Sequence, residues 1–126
     1  MDRQLAAAVP PDRIKTVDDL HQKWRQVLAG DCQAILLDVR SLGEFQAGHI
    51  QGSRHLEAGS VDLLARELGE PSAEIWVFCR TDQRARHVAS GLHRLGFGNA
   101  YLVARSPEGI AGGLTGWLQR GHPVVD

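Results

Sequence analysis

The amino-acid sequence predicts an α/β fold in which an open parallel β-sheet is flanked by helices on both faces. Short apolar runs alternate three times with stretches of helical periodicity, the order of strands joined by crossover helices. The apolar runs are nearly unbroken, which is typical of strands covered on both faces. The chain has 126 residues and is 43% hydrophobic, which fits one compact domain.

The first cycle begins at Thr16. Asp19 follows at the spacing of a capping box, and Gly30 ends the helical pattern. Residues 34–39 then form a short apolar run, which predicts a buried strand. The apolar positions of the predicted helix are Val17, Leu20, Trp24, Val27 and Leu28.

Two further cycles follow. Ser60 precedes a second helical pattern that ends at Gly69, and residues 75–78 form the next predicted strand. A third helical face ends at Gly96, and residues 100–103 form another predicted strand. The apolar positions of the third helix are Ala85, Val88, Ala89, Leu92 and Leu95.

The two ends of the chain differ in character. Residues 1–12 contain several alanines and prolines without a period, so we expect an amino-terminal tail followed by one domain over residues 13–126. Near the other end, Leu114, Trp117 and Leu118 predict a last short helix.

Composition excludes several classes of function. The formal net charge is −1, so no overall field attracts nucleic acid or an anionic membrane. No apolar stretch approaches the roughly 20 residues needed to span a bilayer, and we expect a cytoplasmic protein. The two cysteines lack the spacing of a disulfide scaffold or a zinc site, so no metal is expected.

The strongest chemical candidate is Cys79, which directly follows the predicted strand 75–78. Ligands of open parallel sheets bind beyond the carboxyl ends of the strands, and a helix is predicted to begin at about Arg84. Unpaired N–H groups and the helix dipole stabilise an anion there, which would be the thiolate of Cys79. Arg80, Arg84 and Arg86 supply cations. The alternative is that Cys79 is a small hydrophobic residue that ends a core strand.

Loop length separates two kinds of anion chemistry. Cysteine phosphatases use Cys-x5-Arg, usually with histidine before the cysteine, because the loop must surround a whole phosphoryl group. Here Phe78 precedes Cys79, Arg84 gives Cys-x4-Arg, and Ala85 occupies the x5 position. The six-residue loop 79–84 favours a single sulfur atom carried as a persulfide over a phosphocysteine.

Three segments of the chain resemble the signatures of one family. They are LDVR at 37–40 with Glu44-Phe45 and GHIQGS at 48–53, FCRTDQRA at 78–85, and GGLTGW at 112–117 with GHPV at 121–124. Their order and separation resemble a single-domain rhodanese, a thiosulfate:cyanide sulfurtransferase or related sulfur carrier, over about residues 14–125. The resemblance implies the rhodanese-like form of the predicted open parallel sheet.

The resemblance also implies a two-step transfer. Cys79 takes the outer sulfur of a donor anion such as thiosulfate and passes it to cyanide, a thiol or a sulfur-carrier protein. Arg84 is expected to pair with the donor or the persulfide, and Arg80 to add positive potential. No cofactor is implied. The implied substrate-binding residues are Arg80, Thr81, Asp82, Gln83 and Arg84.

Two positions depart from the family pattern. Asp82 stands where many relatives have glycine, and Ala85 where serine is frequent. Asp82 is expected either to have a strained backbone and repel an anionic donor, or to cap the following helix. Both arrangements argue against high thiosulfate activity.

Other candidate residues have weaker support. Asp38 and Arg40 either shape the catalytic pocket or form a structural ion pair with Glu44 or the loop, and the structural role is favoured. His49 is expected to bond to backbone in a turn rather than act as a base. Cys32 could resolve a persulfide on Cys79 through a disulfide, although we expect Cys32→Ser to leave the persulfide intact.

Two other functions stay open. One is a rhodanese-like binding or sulfur-relay docking module with little turnover, which Asp82 keeps in consideration. The other is a Cdc25-like phosphatase or arsenate reductase, which the short loop disfavours.

Overall fold

The computed structural model describes residues 9–126 and contains one five-stranded sheet. The strands are β1 (Ile14–Lys15), β2 (Ile35–Asp38), β3 (Arg54–His55), β4 (Ile75–Phe78) and β5 (Ala100–Val103). Their order is β1-β5-β4-β2-β3, and every pair is parallel. The helices are α1 (Val17–Leu28), α2 (Leu42–Ala47), α3 (Val61–Leu68), α4 (Gln83–Arg94) and α5 (Leu114–Gln119).

Helices cover both faces of the sheet, which confirms the predicted α/β class. One apolar cluster joins the sheet to α3 and α4, through residues such as Leu64 and Val88. A second cluster joins the opposite face to α1 and α5, through residues such as Leu20 and Trp117. Successive side chains of a strand point to opposite faces, so the buried strands β2 and β4 are apolar on both sides.

Each predicted helix and strand is present, with boundaries shifted by one or two residues at most. Thr16 and Asp19 form the expected capping box at the start of α1, with the Asp19 N–H 3.2 Å from the Thr16 hydroxyl. None of the helices between residues 9 and 126 combines the length and hydropathy needed to cross a bilayer.

The sequence patterns did not predict β1, β3 or α2. The two strands have two residues each at the sheet edges, too few to show a period. The start of α2 carried a readable signal, because Ser41 and Glu44 form a second capping box. Residues 1–8 of the expected tail lie outside the described residues.

The register of the sheet brings one pair of strand ends together. Ile35 is opposite Ile75 and Asp38 is opposite Phe78, so β2 and β4 end at the same level. The Val39 N–H donates to the Phe78 carbonyl at 3.0 Å, which continues this pairing one step beyond the strands. The segments that follow β2 and β4 therefore lie side by side at the carboxyl edge.

Candidate functional site

Cys79 lies at this carboxyl edge, immediately after β4. Its side chain is only 1% exposed and belongs to the cluster beneath α4. The sulfur accepts a hydrogen bond from the Ala85 N–H at 3.4 Å. Burial alone fits the alternative of a small core residue, whereas the backbone donor on the sulfur is a polar contact that a purely apolar role does not require.

The segment from Cys79 to Arg84, here called the Cys79 loop, carries a row of unused donors. Within residues 9–126, no protein acceptor takes the N–H groups of residues 80 to 84. Helix α4 explains part of this row, because the first amides of a helix have no intrahelical partner. Five successive N–H groups without a protein acceptor, next to a sulfur in the chain, are an arrangement that can bind a small anion.

The amino-terminal end of helix α5 binds the backbone of the Cys79 loop. The Leu114 N–H donates to the Cys79 carbonyl at 2.9 Å, and the Thr115 N–H donates to the Arg80 carbonyl at 3.0 Å. The described chain has no cis peptide bonds, and a trans peptide points its C=O and N–H in opposite directions. Holding these two carbonyls on α5 therefore turns the N–H groups of Arg80 and Thr81 away from α5.

Gly113 makes this contact possible. A methyl group at Gly113 would overlap the Cys79 carbonyl oxygen and would lie 2.8 Å from the Arg80 carbonyl. A methyl group at Gly112 would likewise overlap the backbone of Ala104. The two glycines thus allow close approach of backbone to backbone, Gly113 at the Cys79 loop and Gly112 at Ala104. The sequence indicated them only through the family resemblance.

Arg84 is paired within the protein. Its guanidinium contacts both carboxylate oxygens of Glu44, at 2.6 and 3.1 Å. The hydrogen bonds from Arg84, with that from the Ser41 backbone, lower the pKa of Glu44 to about 2. The hydrogen bond with Glu44 in turn raises the pKa of Arg84. The expected partner of Arg84 was a donor anion, and the sequence reasoning did not identify Glu44 as its partner.

Two expectations for Asp82, the strained backbone and the helix cap, were wrong. Its φ of −153° lies outside the left-handed region, so the backbone needs no glycine. Its carboxylate makes no capping bond, and one of the two N–H groups that a cap could accept, that of Ala85, donates to the Cys79 sulfur. The carboxylate forms two hydrogen bonds with Arg86, at 2.9 and 3.0 Å.

Asp38 and Arg40 form a buried ion pair with each other. The shortest contact joins Arg40 Nη2 to Asp38 Oδ2 at 2.8 Å, and the same nitrogen donates to the Gly48 carbonyl at 2.8 Å. The favoured structural role fits this geometry, but the expected partners, Glu44 or the loop, were wrong. A buried guanidinium with these acceptors ties the end of β2 to the turn after α2.

His49 has the predicted contact with backbone. Its Nδ1 lies 2.9 Å from the Phe45 carbonyl oxygen, and its ring stacks on that of Phe45 at 3.8 Å. The His49 N–H also donates to the Val125 carbonyl at 2.8 Å. These contacts hold the chain terminus against α2.

Cys32 lies at the opposite edge of the sheet. Lys23 joins it to Glu74, with Nζ 3.8 Å from the Cys32 sulfur and 3.0 Å from the Glu74 carboxylate. Glu74 precedes β4 and Cys79 follows it, so the rise of a strand separates the two thiols by about 15 Å. A disulfide requires Cα atoms within about 7 Å, so this separation argues against a resolving role for Cys32.

A shallow cavity adjoins the Cys79 loop. It has a volume of about 230 Å³ and is lined partly by Glu44 and Leu114, which both contact the loop. Leu118 and Val124 form an apolar side of this cavity, and Leu118 is exposed. The site therefore has polar amides at its centre and apolar side chains next to it.

Comparisons with known proteins agree on one family. The sequence model of the rhodanese-like domain matches residues 21–120. A thiosulfate sulfurtransferase, GlpE of Haemophilus influenzae, is 30% identical over 103 residues, covering 82% of this chain and 88% of that protein. YrkF of Bacillus subtilis, whose name describes a sulfur carrier, is 32% identical over 76 residues; the match covers 60% of this chain and 40% of YrkF's length.

Solved structures show the same fold. A rhodanese-related protein from Thermoplasma volcanium superposes with a TM-score of 0.67 at 25% identity, covering 90% of this chain and 97% of that one. The polysulfide-sulfur transferase of Wolinella succinogenes superposes with a TM-score of 0.65 at 23% identity, covering 98% of this chain and 83% of that one.

Proposed function

The chain belongs to the rhodanese-like domain family, and from this premise we propose that it is a sulfurtransferase that carries sulfur as a persulfide on Cys79. The observation that carries the proposal is the row of free N–H groups at residues 80 to 84 beside the Cys79 sulfur. A persulfide places a second sulfur beyond Sγ, so these amides would hold the outer atom. Thr81 and Gln83 would contribute their backbone N–H groups to this binding, and no side-chain role is required of them.

The proposed reaction consists of two sulfur transfers and needs no external oxidant or reductant. The Cys79 thiolate attacks the outer sulfur of the donor, a new S–S bond forms, and the old S–S bond breaks. The rest of the donor leaves with the bonding electron pair. An acceptor such as cyanide then attacks the outer sulfur of the persulfide, and the electron pair returns to Cys79 as thiolate.

We propose that the acceptor is cyanide, a small thiol or a sulfur-carrier protein. The relative named for sulfur carriage supports a relay role, and the relative named as a thiosulfate sulfurtransferase supports turnover with small molecules. The carrier must be a free thiol, so we place the reaction in the cytoplasm, where thiols stay reduced.

Formation of thiocyanate from a sulfane donor and cyanide tests the proposal. We expect turnover by the wild-type protein and by Cys32→Ser, and none by Cys79→Ser. The two variants make the same chemical change at opposite edges of the sheet, so Cys32→Ser is the matched control. Turnover that survives in Cys79→Ser would contradict the proposal.

A binding module is the second candidate, and the 1% exposure of Cys79 favours it. Such a module would bind a partner protein through the loop without forming a persulfide. Absence of thiocyanate with every donor tested, in a folded protein, would select this function instead.

A further inference from the structure

The cations around the Cys79 loop are largely neutralised by acids of the same chain. Glu44 pairs with Arg84 through two contacts, and Asp82 pairs with Arg86 through two more. Arg80 is exposed, and within residues 9–126 its guanidinium has no acidic partner. Of the three arginines in or next to the loop, Arg80 alone therefore lacks an acidic partner in the part of the chain that the structure describes.

We propose that these pairings select a sulfur donor of low charge, such as an alkyl persulfide, over the thiosulfate dianion, and that Asp82 is the main specificity-determining residue. This inference rests on the proposed persulfide chemistry at Cys79. The inference concerns only the donor that supplies the sulfur; Cys79 remains the sulfur carrier.

The two donors place different charges at the site. Thiosulfate brings two negative charges to a thiolate: its S–S bond breaks, sulfite leaves as a dianion, and the persulfide anion remains on Cys79. An alkyl persulfide can react as R–S–SH: its S–S bond breaks, the alkyl thiolate leaves, and Cys79 becomes Cys–S–SH. Each equation balances without an oxidant or reductant, and thiosulfate requires more cationic compensation.

Recruiting the paired arginines for a dianion is unfavourable. If Arg84 turned to the donor, it would leave Glu44, a carboxylate with one quarter of its surface exposed, without its cation. If Arg86 turned, the Asp82 carboxylate would remain at the start of α4 and repel the donor. A donor with little charge needs neither rearrangement.

Asp82→Asn tests this assignment. The variant removes a negative charge, frees Arg86 and keeps the size of the side chain. Asp12→Asn is the matched control, because Asp12 also pairs with an arginine, Arg13 at 3.0 Å, before β1 at the opposite edge of the sheet. The readout is the rate at which Cys79 gains one sulfur atom, measured by mass spectrometry with thiosulfate and with an alkyl persulfide carrying a neutral alkyl group. Each rate is divided by the rate of the same donor with a small thiol.

In the wild type, we expect the normalised rate to be higher for the alkyl persulfide. Asp82→Asn should raise the thiosulfate rate about three- to tenfold, the size of a partly screened charge effect, and the persulfide rate less than about twofold. Asp12→Asn should change neither rate. A wild-type preference for thiosulfate, or an equal change with both donors in Asp82→Asn, would overturn the inference while leaving the sulfur carrier intact. Loading from neither donor would instead contradict the proposed function.

Discussion

Cys79 and Cys32 lie at opposite edges of the same sheet, and their surroundings differ in kind. Cys79 is buried beside a row of free backbone donors, and two of the three arginines in or next to its loop, Arg84 and Arg86, are paired with carboxylates. Cys32 is half-buried in a turn, and its polar neighbour is the Lys23 ammonium at 3.8 Å. One thiol lies beside backbone dipoles, and the other lies beside a side-chain cation that also pairs with Glu74.

The difference shows why a cation near a cysteine is a weak sign of function. A lysine ammonium is a point charge that salt screens, and the ammonium of Lys23 is shared with the Glu74 carboxylate. Backbone amides are fixed by the fold and stay in place when sulfur arrives. We therefore expect sulfur chemistry at Cys79 and only ordinary thiol reactivity at Cys32.

The largest effect on sulfur loading is expected when the contact between α5 and the Cys79 loop is disrupted. Gly113→Ala should lower sulfur loading of Cys79 by about 100-fold, because the new methyl group displaces the Cys79 carbonyl and with it the following amides. Loading kinetics and thermal unfolding measure the change. Gly98→Ala is the control, since a methyl group there meets nothing within 4 Å. Wild-type loading by Gly113→Ala would contradict the role given to α5.

A smaller effect is expected from breaking the pair that neutralises Arg84. Glu44→Gln should lower the free energy of unfolding by about 1 kcal/mol at pH 7. Glu44 has a pKa of about 2 in the folded protein, below its ordinary value of 4.5. The stabilisation is therefore complete above pH 4.5 and is lost as the pH falls toward 2.

Denaturant unfolding of both proteins from pH 7 to pH 2 measures this loss. The two stabilities should converge as the pH falls. Glu67→Gln, which removes an exposed carboxylate 3.9 Å from Arg54, should have less effect at pH 7. A difference between wild type and Glu44→Gln that stays constant across this range would contradict the pairing.

Removing the cation at the other edge should affect only Cys32. Lys23→Met should slow alkylation of Cys32 at neutral pH about threefold, because the reacting sulfur loses the cation that contacts it. Alkylation of Cys79 should not change. Peptide-resolved labelling with iodoacetamide measures both rates in one sample, and a slower rate at Cys79 would show that the two edges are coupled.

The smallest effect concerns the segment after α5. Burial, followed by the nearby His21, lowers the pKa of His122 below its usual 6.5, and the two rings stack at 3.8 Å. At a pH between the lowered pKa of His122 in the folded protein and 6.5 in the unfolded chain, the unfolded chain binds more protons than the folded protein. Stability therefore falls as the pH drops below 6.5. The expected loss is less than about 1 kcal/mol.

His122→Gln should flatten this pH dependence in denaturant unfolding from pH 8 to pH 5. The charged groups that affect His122 besides His21 are Asp18 and Arg120, which form an exposed ion pair. An unchanged slope in the variant would show that another group titrates.

Sequence patterns predicted the main helices and strands because burial on both faces of a sheet leaves a strong periodic signal. They also predicted that Cys79 directly follows a buried strand, because the apolar run 75–78 marks where that strand ends. They did not predict that Glu44 binds Arg84, because the two residues are 40 positions apart and no local spacing joins them. They also misassigned the Asp82 carboxylate, which binds the Arg86 guanidinium, while the Ala85 N–H donates to the Cys79 sulfur.

The most direct test compares the two thiols of one molecule. The protein is incubated with a sulfane donor and digested without reduction, and the peptides that contain Cys79 and Cys32 are weighed. We predict a gain of one sulfur atom on Cys79 and none on Cys32. A persulfide on Cys32 with Cys79 unmodified would contradict the claim that the fixed amides of the loop make the sulfur carrier.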